Sequence, residues 1–178
     1  MTDDCARLLA FYDGTGVDDR GRTIEDVLAF PPATTETSHD YIQWFFPLDV
    51  PSSVMPHAPL AGPDCQREFT ESPTRVATLR RALEHMLNFY GLLLVNDDAP
   101  QVVKAPSFTA RSANWLTPGN HNFLRLTRIL KSLRLLGAAE LAAALFWCLE
   151  EVYTEHSVII GGTTFDYWRN AVSTTSQA

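Results

Sequence analysis

Asn120-His121-Asn122-Phe123-Leu124-Arg125-Leu126-Thr127-Arg128-Ile129-Leu130-Lys131-Ser132-Leu133-Arg134-Leu135-Leu136-Gly137 reads as one helix. Asn120 or Asn122 supplies an N-cap after Pro118-Gly119, and Gly137 stops the helix as a residue free to turn left-handed. At about 100° per residue, Leu126, Ile129, Leu130, Leu133 and Leu136 fall within roughly 120° of arc, the signature of a core face. The same projection gathers His121, Arg125, Arg128 and Ser132 into a line about 60° wide, flanked by Leu136 on one side and by Leu124 and Leu135 on the other. Thr127, Lys131 and Arg134 occupy a separate sector that is expected to be solvated. Charge held between apolar flanks needs a partner, because an unpaired charge out of water is costly.

The flanking segments read the same way. A first helix spans 3–12, with Leu8, Leu9 and Tyr12 inward. Thr23-Ile24-Glu25-Asp26 has capping-box form and opens a short helix that Pro31-Pro32 stops. After the polar run 34–38, a two-turn helix is expected from His39 to Phe46, broken by Pro47. With Tyr41, Trp44, Phe45 and Phe46 it must lie deep in the fold. Five prolines between Pro47 and Pro63 predict a wrapping loop. A helix follows from 63 to 70, and another from Ser72-Pro73 to Tyr90, stopped by Gly91. Residues 92–95 form an extended segment or one more turn, and 101–118 is loop-like, anchored by Phe108 and Trp115. Residues 139–156 are helical, and Thr163 or Thr164 caps a last helix. The fold class is all-α, a single compact bundle of about seven or eight helices with long Pro-rich loops and no strand ladder. The domain spans 1–172, and 173–178 forms a frayed tail.

The chain has 178 residues, 46% of them apolar and 20% charged, which suits one globular domain. No run approaches the ~18 apolar residues of a membrane span. The acidic start Met1-Thr2-Asp3-Asp4 is unlike a secretory signal. Cys5, Cys65 and Cys148 lack CxxC spacing, so free thiols in a reducing cytoplasm are expected. The net charge of −7 argues against nucleic-acid binding. Its distribution is uneven: no acidic residue lies between Asp98 and Glu140, an interval with six basic ones. This basic island pairs either internally, with Glu150, Glu151, Asp40 or other carboxylates, or with an anionic ligand.

Two stretches, His39-Asp40-Tyr41-Ile42-Gln43-Trp44-Phe45-Phe46-Pro47-Leu48 and 121–133, closely resemble the signature segments of the opioid growth factor receptor conserved domain. Phe11-Tyr12-x-Gly14, Ala58-Pro59-Leu60, Met86-Leu87-x-Phe89-Tyr90-Gly91, Asn114-Trp115 and Tyr167-Trp168 match in the family's order. The resemblance covers nearly the whole chain. It implies kinship with nucleus-associated receptors for an enkephalin pentapeptide, in a stand-alone, microbial-type version without their basic localisation segments or repeat-rich tail. It carries over no catalytic residue.

The candidate chemistry centres on two histidines. His39 and Gln43 are four residues apart and could present an imidazole and a carboxamide to one point. His121, in the first turn of its helix, is expected to have a lowered pKa. Arg125 and Arg128 are anion-clamp candidates, since guanidinium forks grip carboxylates. Ser132, Tyr41, Trp44, Trp115 and Tyr167 could wall a pocket. The histidines have no HxxxH or HExxH pairing, so no metal or other cofactor is expected, and no GxSxG, P-loop or GxGxxG is present. Three functions fit. The chain could be a binding module for a small anionic or aromatic ligand or short peptide. It could be an enzyme using His39 or His121 as general acid or base. It could also be a partner-binding protein whose arginines pair internally. Oligomeric state is open.

Overall fold

The computed structural model describes residues 2–52 and 55–173. Among these, ten helices and one two-stranded sheet surround a single core. The order is α1 (Asp3–Tyr12), α2 (Ile24–Leu28), α3 (Pro32–Thr37), α4 (Ile42–Phe45), α5 (Pro63–Thr70), α6 (Pro73–Tyr90), β1 (Leu92–Val95), β2 (Gln101–Lys104), α7 (Phe108–Ser112), α8 (Asn122–Leu135), α9 (Ala139–Ile160) and α10 (Gly162–Val172).

The helix signals at the start of the chain hold. The Thr23 hydroxyl accepts from the Asp26 amide while the Asp26 carboxylate accepts from the Thr23 amide, a reciprocal capping box. Ser72 caps α6, and Gly91 ends it at φ 78°. Only glycine serves at position 91: besides the left-handed backbone, an added Cβ would stand 2.8 Å from the Phe108 Cα. The expected core face of α8 is fully buried at Leu126, Ile129, Leu130, Leu133 and Leu136. Each such side chain contributes about 1.5–3 kcal/mol of burial. Helix α8 packs chiefly on α9 and α10, and the Trp168 indole N–H of α10 donates to the Phe123 carbonyl at 3.1 Å.

Several boundaries differ from the expectation. Pro32 does not merely stop α2: it occupies the first turn of α3, where its missing N–H costs nothing. Helix α4 is a single turn beginning at Ile42, and His39 lies outside it, because the preceding residues are held elsewhere. Asp40 is bound by Arg20 at 2.8 Å and Arg22 at 2.9 Å, and the Ser38 carbonyl by Arg125 at 2.7 Å. Residues 92–95 and 101–104 form an antiparallel hairpin, with Leu92 opposite Lys104 and Val95 opposite Gln101, where no ladder was expected. Packing of α9 against β2 supplies the tertiary support that so short a hairpin needs. Helix α9 runs on to Ile160 with a non-helical His156, and α10 starts at Gly162 rather than after a threonine cap. Most of the expected tail, 174–178, lies outside the described residues; Ser173 caps α10. No helix of the described residues is long and apolar enough to cross a membrane.

Candidate functional site

The polar line of α8 faces the segment from α3 to the turn after α4, and main-chain carbonyls explain most of it. Arg125 is 5% exposed. Its Nη1 donates to the Thr35 carbonyl at 3.0 Å and to Asn122 Oδ1 at 3.3 Å. Its Nη2 donates to the carbonyls of Glu36 at 3.2 Å and Ser38 at 2.7 Å, and to His39 Nδ1 at 3.0 Å. Thr35 and Glu36 belong to the last turn of α3, where carbonyls lack intrahelical partners and a cation is favoured. The Arg125 guanidinium also lies over the Tyr41 ring, 5.8 Å from its centroid.

One turn on, Arg128 Nη1 donates to the Phe46 carbonyl at 3.1 Å, and the Ser132 hydroxyl to the Pro47 carbonyl at 2.8 Å. The basic island therefore is not paired to Glu150 or Glu151, which are exposed on α9. Arg134 likewise serves carbonyls, those of Ala171 and Ser173, while Lys104 pairs with Glu155 at 2.5 Å.

His39 and His121 stack edge to face, with ring centroids 5.2 Å apart. Arg125 has no acceptor capacity, so His39 Nδ1 must accept and, in the neutral ring, the proton sits on Nε2. His121 Nε2 lies 3.4 Å from Glu36 Oε1. Its pKa is lowered, as expected, but burial is the first cause, followed by the charge of Arg125; Glu36 opposes both. Glu36 Oε2 accepts from Asn122 Nδ2 at 3.1 Å and stands 3.9 Å from Arg125. Asn122 is therefore not the helix cap. It is a buried joint, and the Asn120 side chain caps the Asn122 amide at 2.9 Å instead.

Between these walls lies a cavity of about 400 Å³. Its polar lining includes His39, Gln43, His121, Arg125, Arg128 and Lys131, and Ile42, Leu48, Pro51 and Leu124 supply apolar surface. No carboxylate lines it among the described residues. Arg128 is half-buried, and burial pushes its pKa down. Gln43 is 4% exposed, and its Oε1 has no hydrogen-bond partner among the described residues.

Five candidates are absent from this lining. Trp44 is in the core, donating to Asp19 at 3.2 Å, and Trp115 is in the core, donating to the Tyr90 carbonyl at 3.1 Å. Tyr41 is wholly buried, its hydroxyl donating to the Thr35 carbonyl at 3.1 Å, and Ser132 is wholly buried on Pro47. Tyr167 is 53% exposed on α10. Lys131 is exposed as expected and also stands at the rim of the cavity, whereas Thr127 from the same sector is buried, its hydroxyl bonded back to the Phe123 carbonyl at 3.0 Å. Glu36 and Leu48 were missed. Reading Pro32 as a first-turn proline would have put Glu36 at a helix end facing the basic line.

These features define a class: a helical domain with a basic cavity, pressed between a long helix and a carbonyl-rich turn. A family model described as the opioid growth factor receptor (OGFr) conserved region matches residues 9–178, and the chain belongs to that family. Opioid growth factor receptor of Mus musculus is 38% identical over 139 residues, covering 77% of this chain and 22% of the relative. The Homo sapiens protein of that name is 37% identical over the same length, 20% of its own chain. Opioid growth factor receptor-like protein 1 of Mus musculus is 32% identical over 124 residues, 69% of this chain and 26% of the relative. The chain thus spans about a fifth to a quarter of these relatives. No solved structure matches.

Proposed function

We propose that this domain binds a small carboxylate-bearing ligand with an apolar or aromatic body, or the end of a short peptide, in the cavity between α8 and the 36–48 segment. The observation that carries this reading is Arg128, a half-buried guanidinium on the cavity wall. Its recorded hydrogen bond is to one backbone carbonyl, and no ion pair to it is recorded among the described residues. A guanidinium so placed has N–H groups left for an incoming anion, and Lys131 adds a second cation at the rim. The name of the relatives, opioid growth factor receptor, supports binding as the activity. A reducing, cytoplasmic setting suits the three buried free thiols.

Titration calorimetry with benzoate and N-benzoylglycine tests the reading. Arg128→Gln keeps a donor for the Phe46 carbonyl but removes the charge. It should weaken binding by on the order of tenfold or more, the scale of one charge-assisted contact. Equal affinity for wild type and variant would sink the proposal.

The neighbouring imidazoles favour a second reading, general acid/base catalysis on the bound anion, with Glu36 beside His121 and His39 held by Arg125. Its mark is turnover that is lost in His121→Gln while binding persists; a ligand always recovered unchanged counts against it.

A further inference from the structure

The cavity holds one feature that anion binding alone does not use. Gln43 Oε1 is the one buried side-chain nitrogen or oxygen among the described residues without a hydrogen-bond partner. It belongs to a residue only 4% exposed, on the single turn of α4, that lines the cavity. Buried acceptors are almost always satisfied, because leaving one unmade costs the desolvation of the group without return. The other fully buried polar groups of this wall have found partners. Arg125 has five acceptors, Asn122 serves Tyr90, Glu36 and Asn120, and Ser132 has Pro47.

From this we infer that Gln43 is a specificity-determining residue whose Oε1 accepts a hydrogen bond from the ligand, and that the ligand class is a carboxylate carrying an amide N–H. The inference rests on the anion reading above and adds the second recognition group.

The nature of the donor follows from the charges around it. An ammonium would meet Arg125, Arg128 and Lys131, while among the described residues no carboxylate lines the cavity and the nearby Glu36 is already engaged by Asn122 and His121. The donor is therefore neutral. Among neutral donors, an amide offers an N–H on one edge and a carbonyl on the other. It can answer both an acceptor and a donor of the protein, and His39 supplies such a donor, since its Nδ1 is occupied by Arg125 and its Nε2 bears the proton. A site built to hydrogen-bond one ligand group rejects the analogue that lacks it, because its own buried atom is then left unpaired. Gln43 thus separates amide-bearing acids from plain or ester-bearing ones, while Arg128 supplies affinity for either.

The test exchanges one ligand atom. N-benzoylglycine and O-benzoylglycolate share shape, carboxylate and ring, but the second has an ester oxygen where the first has N–H. Calorimetry on the full chain should show wild type binding the amide on the order of tenfold more tightly. Gln43→Leu should bind the two alike, and Gln43→Glu should bind both more weakly through repulsion of their carboxylates. Leucine removes the orphaned acceptor, so the variant's ligand-free unfolding midpoint should not fall. The wild-type comparison needs no variant and decides the matter even if neither folds. Equal wild-type affinity for amide and ester overturns the role of Gln43 and leaves the anion reading standing. Mandelate binding as tightly as N-benzoylglycine overturns the amide assignment in favour of a hydroxyl donor. Binding of neither benzoyl probe removes the anion reading, and this inference with it.

Discussion

Arg125 Nη2 donates to His39 Nδ1 at 3.0 Å, joining the first turn of α8 to a residue in the irregular segment between α3 and α4. The same guanidinium group holds the carbonyls of Thr35, Glu36 and Ser38, so one side chain ties this whole segment to α8.

Arg125→Ala is accordingly expected to cost about 3–5 kcal/mol, the range for breaking a buried, charge-assisted network and leaving its acceptors unpaired. Arg125→Lys should recover less than half of that, because a single ammonium cannot reproduce the fork. Urea unfolding monitored by circular dichroism measures both. A loss below about 1 kcal/mol for alanine would show that water replaces the guanidinium without penalty.

Ser132→Ala removes a buried hydroxyl that donates to the Pro47 carbonyl at 2.8 Å. The orphaned carbonyl should cost about 1–3 kcal/mol, read from the shift in urea midpoint at unchanged slope. Ser132→Thr keeps the donor and serves as the control for hydrogen bonding against packing.

Gly91→Ala tests the end of α6. The left-handed φ of 78° and the 2.8 Å approach to Phe108 act in the same direction. The penalty should exceed the roughly 1 kcal/mol of a left-handed alanine alone, seen as a lowered thermal midpoint. Gly21→Ala, at φ 75° but with open space around it, should show only the backbone part.

Stability should fall between about pH 7 and 5. The pKa of His85 is lowered, first by burial, with a hydrogen bond to the Leu28 backbone opposing, and that of His121 by burial and then Arg125. A histidine with a native pKa below its unfolded value stays neutral in the fold while the unfolded chain takes up the proton. Its contribution is therefore complete above about pH 6.5 and is lost as pH drops through that value toward the lower native one. Urea midpoints at pH 7.5 and 5 measure the loss, and His85→Gln should flatten it; an unchanged pH dependence in that variant would remove His85 as a cause.

How much of this was legible depended on where the partner of each residue resides. The apolar face of α8 was readable because five aliphatic side chains repeat at helical spacing and all bury together. The polar line was readable as a demand for partners, but not what met it. Carboxylate partners leave letters in a sequence, whereas the carbonyls of Thr35, Glu36, Ser38, Phe46 and Pro47 are properties of the backbone and leave none. The hydroxyl of Thr127 counts as polar and so points to solvent in the sequence, yet a bond to the carbonyl four residues earlier lets it be buried. His39 and Gln43 do share the cavity, though not through the i, i+4 geometry of one helix: tertiary contacts to Arg20, Arg22 and Arg125 override the local tendency of 38–41 to coil.

Thr35 and Arg125, bonded at 3.0 Å, stand 90 positions apart in the chain. Closing so long a loop costs entropy that no local contact repays, so such pairings form after neighbouring helices have already found each other. The cavity wall is thus expected to close late in assembly. In a refolding experiment, helical signal should return before any capacity to hold a ligand, and a ligand that engages both walls stabilises the closing step rather than the helices it joins.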